Sequence, residues 1–344
     1  MVNQTPQVRE KPFLTIDGSG NYSVFVPALA SNSQGITWAS GSSAGQSIPI
    51  SQFYIAHSSS DTATSLNAAL AQGKNLLLTP GVYSLNATLQ VNNANTVVLG
   101  LGLATLLSQN GVTAMTVADV DGVTISGILF DAGSTNSPFQ LQVGPTGSSA
   151  DHSANSTCLH DLFFRVGGAG VGKTTASLQI NSNNVIGDDF WIWRADHGNG
   201  VGWTTNPANN GLIVNGANVT IYGLAAEHYE QYQTLWNGNG GSVYFYQSEA
   251  PYDVPNQASW MAGSENGYAS YKGGGHGHQP PGLRNRRVLL LQRQPSGKTK
   301  QCHRGANLRV ERCDDPQYDH SFAGRRRRGH PRHRWIRRRG EFVQ

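Results

Sequence analysis

The sequence predicts an all-β protein, a right-handed parallel β-helix incomplete at both ends, and three observations predict it. Charged residues make up only 13% of the 344 positions while glycine numbers 41. Together with abundant Ser, Thr and Asn, this suits many short strands joined by turns. From Ala94 a phrase recurs. "NTVVLGLGLATLLS", "VDGVTISGILFDAG", "LHDLFFRVGG", "SNNVIGDDFWIWRADHG", "GANVTIYGLAAEHYE" and "GSVYFYQSEAPYD" each set Asn, Asp or Gly ahead of a short apolar strand, often a Gly, and a second apolar segment. The polar residues that come next, Asp131, Arg165, Arg194, Glu227 and Glu249, are separated by 34, 29, 33 and 22 residues. Such irregular, coil-sized periods suit stacked turns of chain with inserted loops of varying length. Stacking at about 4.8 Å lines equivalent side chains along one face and favours Asn ladders at the turns. A sandwich or propeller explains the recurring phrase less well.

Residues 1–60, with "FLTIDGSGNYSVFVPAL" and "SIPISQFYIAH", read as short strands of an entry subdomain. The β-helix occupies 61–272. It opens with Asp61 or Thr62 capping a short helix whose Leu66 and Leu70 face inward and which Gly73 ends. A strand, a Pro80-Gly81 turn and a further strand lead into the repeats.

Charge divides the chain. Residues 1–272 hold seven basic and sixteen acidic residues, and 273–344 hold eighteen basic and five acidic. A nucleic-acid or membrane-surface arm is one account of "GRRRRGHPRHRWIRRRG". A shifted reading frame is the favoured one. Dropping the first base of each codon from Gly273 permits "VADTVTSHQAYGIGVYYYFNVNP", which alternates aromatic and β-branched residues as strands do. The tail as written is then expected to be disordered, with no nucleic-acid partner unless it is genuine. No run of eighteen apolar residues suggests a membrane span, and "MVNQTPQVREKPF" has no signal-peptide core. Cys158, Cys302 and Cys313 are too scattered for a disulfide scaffold or a zinc site, so neither metal nor cofactor is expected.

"GGAGVGKTT", Gly167 to Thr175, satisfies the spelling of a phosphate-binding loop. That chemistry needs a helix whose first amides point at the phosphates. "ASLQINSNNVIGDD" reads instead as strand and turn, so no nucleotide is expected there and the glycines serve a surface loop.

In combination, "LAQGKNLLLTPGVYSL", "NTVVLGLGLATL", "VADVDGVTISGILFDAG", "FWIWRADHGNGVGW" and "LWNGNGG" resemble the secreted pectin-lyase-like β-helix proteins of actinobacteria and fungi, near the α-1,3-glucanase and mycodextranase class of glycoside hydrolases. The likeness runs from Val8 to Lys272. Some such relatives are labelled as adenylyl cyclases or coagulation-factor-like proteins, but no residues here support cyclase chemistry. The resemblance implies an extracellular protein, monomeric, with a polysaccharide as partner, and more β-helix before "VREKPFL" and after "YASYK".

Glycoside hydrolysis needs two carboxyl groups across the scissile bond. The richest segment is "IGDDFWIWRADHGNG". Neighbours in a strand point to opposite faces, so only one of Asp188 and Asp189 is expected to face a given cleft. Asp196 and Glu227 are the expected catalytic pair, with Asp189 as substitute. Arg194 and His197 are expected to orient substrate, and Trp193, Tyr229 and Trp236 to stack on sugar rings. Trp191 reads as core. Arg165 and Arg194 also leave open a polysaccharide lyase, which needs a strong base, and a non-catalytic glycan-binding or adhesin-like β-helix is the third possibility.

Overall fold

The structure is a computed structural model that describes residues 4–35 and 44–273, and the backbone of 290–293. Two parallel sheets dominate it. The first is built from Phe53–Ala56, Asn75–Leu78, Val97–Ser108, Thr124–Asp131, Cys158–Val166, Ile186–Arg194, Thr220–Glu227 and Ser242–Glu249, with Leu290–Arg293 paired beyond. The second runs from Leu89–Val91 through Met115–Val117, Ser137–Val143, Thr174–Ile180, Ala208–Val214 and Thr234–Trp236 to Tyr271–Gly273. The chain visits the sheets alternately, so each strand pairs with the one laid down a full turn of chain earlier. The parallel stacking read from the recurring phrase is therefore present.

Alternation of side chains fills the space between the sheets. The ladder row Ile128, Leu162, Phe190, Leu224 and Tyr246 lies inside, as does the row Leu141, Leu178 and Leu212 from the second sheet. Phe130 and Phe164, neighbours in register, stack with ring centroids 5.0 Å apart. At one turn Asn215 donates to Asn181 at 2.7 Å and Asn237 to Asn215 at 2.8 Å, a ladder of side-chain amides that links one turn of chain to the next.

Five long strands of the first sheet bend at one left-handed residue each, and Val97–Ser108 bends at two, Gly102 and Leu103. Gly127, Asp161, Asp189, Gly223 and Phe245 have φ of 69, 48, 56, 73 and 65°. The ladder skips them, so that Ser126↔His160 is succeeded by Ile128↔Leu162. The corner divides the outer face. Before it lie His160, Asp188 and Tyr222, in register and covered by the N-terminal segment: the Tyr222 hydroxyl donates to the Gln7 carbonyl at 2.7 Å and Lys11 pairs with Asp161. After it lie two open rows, Phe163–Trp191–Ala225–Gln247 and Asp131–Arg165–Trp193–Glu227–Glu249.

The entry helix is Ala63–Ala71, with Thr62 as N-cap in a reciprocal pair with Ser65. Leu66 and Leu70 are buried, and Gly73 leaves the helix at φ 74°. Upstream, Thr5–Val8 pairs with Ala30–Ser33, and Phe13–Ile16, Tyr22–Pro27 and Gly45–Pro49 form an antiparallel sheet. The first strand of the parallel stack is Phe53–Ala56. Apart from Gly273 and the backbone of 290–293, the expected disordered tail 273–344 lies outside the described residues.

Candidate functional site

The row Asp131, Arg165, Trp193, Glu227, Glu249 sets the site, and it corrects one alignment made from sequence. Trp193, not Arg194, stands in register between Arg165 and Glu227. The true separations are 34, 28, 34 and 22 residues. Every member lies four residues after the left-handed corner of its strand. At the Asp131 end the row is closed, because Arg165 donates twice to the Asp131 carboxylate, at 2.8 and 3.1 Å. That carboxylate holds the guanidinium above its ordinary pKa, against partial burial.

At the other end the row carries Glu227 and Glu249 on adjacent strands. The indole nitrogen of Trp191 donates to Glu227 at 3.1 Å, and Trp191 stacks on Trp193 at 5.5 Å with the planes 21° apart. Trp193 in turn meets the His197 ring at 5.1 Å. Asp196 lies in the loop after the strand, its carboxyl group bonded to His197 Nδ1 at 2.8 Å. The Nδ1 of His228 stands 3.6 Å from the same carboxylate oxygen, and its Nε2 is 3.3 Å from Glu249. Tyr252 donates its hydroxyl to Glu249 and lays its ring 4.7 Å from His228. Burial raises the pKa of Asp196, but His228 and His197 beside it outweigh that and hold the carboxyl below its usual range. Asp196 is therefore held as an ionised carboxylate.

The structure thus brings together Asp196, Glu227, His197 and Trp193. It sends three expected contacts elsewhere. Tyr229 is completely buried, its hydroxyl 2.6 Å from the Ser177 hydroxyl, and its face is covered by core side chains, so it has no surface to offer a sugar. Trp236 points into the same core and stacks on Tyr271. Arg194 is fully buried too. Its guanidinium binds Asp253 through two bonds of 2.9 and 2.7 Å and donates to the carbonyls of Asn206 and His228, which fastens the loops behind the site rather than touching its open face. Glu230 stands 3.4 Å from that guanidinium, and burial pushes its carboxyl up to about 7 despite the opposite charge of Arg194.

Asp189 stands apart from this group. It occupies the corner beside Asp161 and Lys11, where burial and then the Asp161 charge raise its pKa. Asp188 lies under the N-terminal segment, pushed up to about 6 by burial, with Asp161 and Asp189 adding to it. The corner at Asp189 also overturns the simple alternation, since both acids lie outside the core.

Sequence reasoning assigned no site role to Trp191, Glu249, His228 or Tyr252. Trp191, expected in the core, is 44% exposed. The signals were available: Trp191 shares the parity of Trp193, and Glu249 ends the same repeat as Glu227. Neither Arg165 nor Arg194 is a free base, as both are engaged by carboxylates. Among the described residues no group of three or more His, Cys, Asp or Glu is arranged to hold a metal ion.

The glycine-rich loop borders the site. Gly167 and Gly168 have φ of 87 and 86°, and Gly168 exchanges backbone hydrogen bonds with Asn199, so the loop packs on the one that carries His197. It leads into the strand Thr174–Ile180, paired on both sides, where a phosphate loop requires a helix.

Comparison with known proteins agrees with the parallel stack. The family described as LAM55 pectate lyase-like domain matches residues 53–249. An exo-beta-1,3-glucanase of Streptomyces sp. (strain SirexAA-E / ActE) is 51% identical over 268 residues, which is 78% of this chain and 44% of the glucanase. The solved structure of sacteLam55A from Streptomyces sp. SirexAA-E superposes with a TM-score of 0.80 at 47% identity, over 85% of this chain and 52% of that one. A variant of sacteLam55A in complex with glucose gives 0.77 at 45% identity over the same shares. The chain spans about half the length of these relatives. The glucanase among them is of the β-1,3 class, where the sequence pointed to α-1,3.

Proposed function

Because the chain belongs to the LAM55 pectate lyase-like domain family, we propose that it is a glycoside hydrolase acting on β-1,3-linked glucan outside the cell, with its two parallel sheets forming faces of a right-handed β-helix over residues 61–272. The observation that carries this is the placing of Glu227 and Glu249 side by side next to the stacked Trp191–Trp193 pair, with Asp196 reaching Glu249 through His228. Flat aromatic faces suit the apolar faces of pyranose rings. Asp196, held ionised by two histidines, accepts the proton of the attacking water, and Glu227 protonates the leaving oxygen. His197, 79% exposed beside Trp193, contacts the bound sugar.

The test is hydrolysis of a soluble β-1,3-glucan by the wild-type protein and by Asp196→Asn and Glu227→Gln. Loss of a general acid or base costs about 10²–10⁴-fold. Full activity in either variant sinks the assignment, and an unsaturated product absorbing in the ultraviolet would make the protein a lyase instead. Residues 1–60 are proposed as an entry subdomain whose last strand, Phe53–Ala56, already joins the parallel stack, and 273–344 as an out-of-frame tail. Resequencing the DNA around Lys272 decides the tail, since an intact frame on good reads would refute it.

A further inference from the structure

His228 is almost wholly buried, its side chain only 4% exposed, yet it faces the open row through its neighbours. One ring nitrogen is 3.6 Å from Asp196 and the other 3.3 Å from Glu249. Its backbone is held as firmly. The amide donates to the Glu249 carbonyl at 2.9 Å, and the carbonyl accepts from Arg194 at 3.2 Å. The residue sits at φ 67°, a left-handed conformation that a bulky side chain adopts at a cost and keeps only where the surroundings impose it. Such strain is concentrated at functional sites. Nδ1 is buried without a hydrogen-bond partner in the protein, and the Asp196 carboxylate stands 3.6 Å from it.

We propose that His228 is a positioning residue that bridges Asp196 and Glu249, fixing the two carboxyl groups against each other across adjacent turns of chain without itself touching substrate. The inference rests on the hydrolase reading for its catalytic consequence, but its geometry does not. An imidazole presents two nitrogens on opposite edges of a rigid ring. Here one nitrogen faces Asp196 and the other Glu249, so a single ring spans both carboxyl groups, and Glu249 stands in register beside Glu227, the proposed acid. The groups facing the ring are Asp196 with His197 behind it, Glu249, and Tyr252, whose hydroxyl also binds Glu249. Arg194 lies behind the backbone carbonyl.

The informative variants are His228→Asn, which tolerates the left-handed backbone but cannot reach both acids, and His228→Gln, which retains a longer amide. In the full chain acting on a soluble β-1,3-glucan, His228→Asn is expected to lower kcat about 30-fold or more with KM changed less than about threefold, and to shift the pH optimum; His228→Gln recovers part of kcat. Unchanged kcat and pH profile in His228→Asn overturn the proposal. Thermal midpoints of His228→Asn combined with Asp196→Asn and with Glu249→Gln give a readout independent of turnover. Shifts smaller than the sum of the single variants in both pairs support the bridge, and simple additivity in either pair refutes it. If the wild-type protein hydrolyses no glucan, the proposed function fails, while these midpoints still decide whether the bridge exists.

Discussion

Trp191 gives its ring to the open face and its N–H to Glu227, and the two contributions are separable. Trp191→Phe keeps an aromatic face and removes the donor. A hydrogen bond that orients a carboxyl group is worth about 0.5–1.5 kcal/mol, so kcat/KM on β-1,3-glucan is expected to fall about twofold to tenfold; an unchanged value would mean that the bond has no part in catalysis. Tyr229 calls for the opposite result. Tyr229→Phe loses the bond to Ser177 inside the core, so stability falls by about 1 kcal/mol in urea unfolding while glucan binding stays the same. Weakened binding with unchanged stability would restore Tyr229 to the sugar site. The sequence showed both aromatic residues but not their side. Tyr229 comes directly after the left-handed His228, which turns the chain and reverses the alternation that strand parity assumes. That Asp196 and Glu227 stand where the chain leaves the sheet was legible, because each ends a recurring phrase.

The recurring phrase revealed the elements themselves, but it hid the register in one strand. Aligning by polarity selected Arg194, whereas the structure counts four residues from each left-handed corner and arrives at Trp193. Arg194, one residue on, points inward and finds its partner in Asp253, 59 residues away, where no local rule reaches. The entry helix was legible because its capping pair, Thr62 and Ser65, is local. The corner column also exposes a residue ill suited to its backbone. Gly127 and Gly223 adopt left-handed φ freely, but Phe245 does so at φ 65° with half its surface in solvent. A left-handed L-residue costs roughly 1–2 kcal/mol, and glycine returns part of that as backbone entropy. Phe245→Gly is therefore expected to raise the urea midpoint slightly. A clear fall would show that the exposed ring contributes more than its backbone conformation costs.

Across the whole molecule, stability is shared among stacked turns of chain, so a clamp that crosses several of them governs how they open together. His152, its side chain 3% exposed, is such a clamp: Nδ1 lies 2.6 Å from Asp121 and Nε2 2.9 Å from Asp119. Asp119 also accepts from Ser182 at 2.7 Å and from the amides of Ser149 and Ala150, which ties the loop after Met115–Val117 to the turn after Thr174–Ile180. Burial lowers the pKa of His152, but the bonds to Asp119 and Asp121 outweigh it and raise the net value above 6.5. Asp119 is lowered from 3.8 to about 2, burial opposing and the bonds from His152 and Ser182 prevailing. Linkage sets the signs. The histidine contribution is complete below 6.5 and lost as pH rises through the raised folded value. The aspartate contribution is complete above 3.8 and lost as pH falls toward 2. Both are in place between these limits, so the clamp is strongest near pH 5. His152→Gln is expected to cost about 1–3 kcal/mol at pH 5, the usual range for breaking a charge-assisted pair, and progressively less as pH rises through the raised folded value, where the wild-type imidazole loses its proton. Urea unfolding as a function of pH from about 5 upward measures the decline, and an equal loss throughout would show that the ring acts by packing alone.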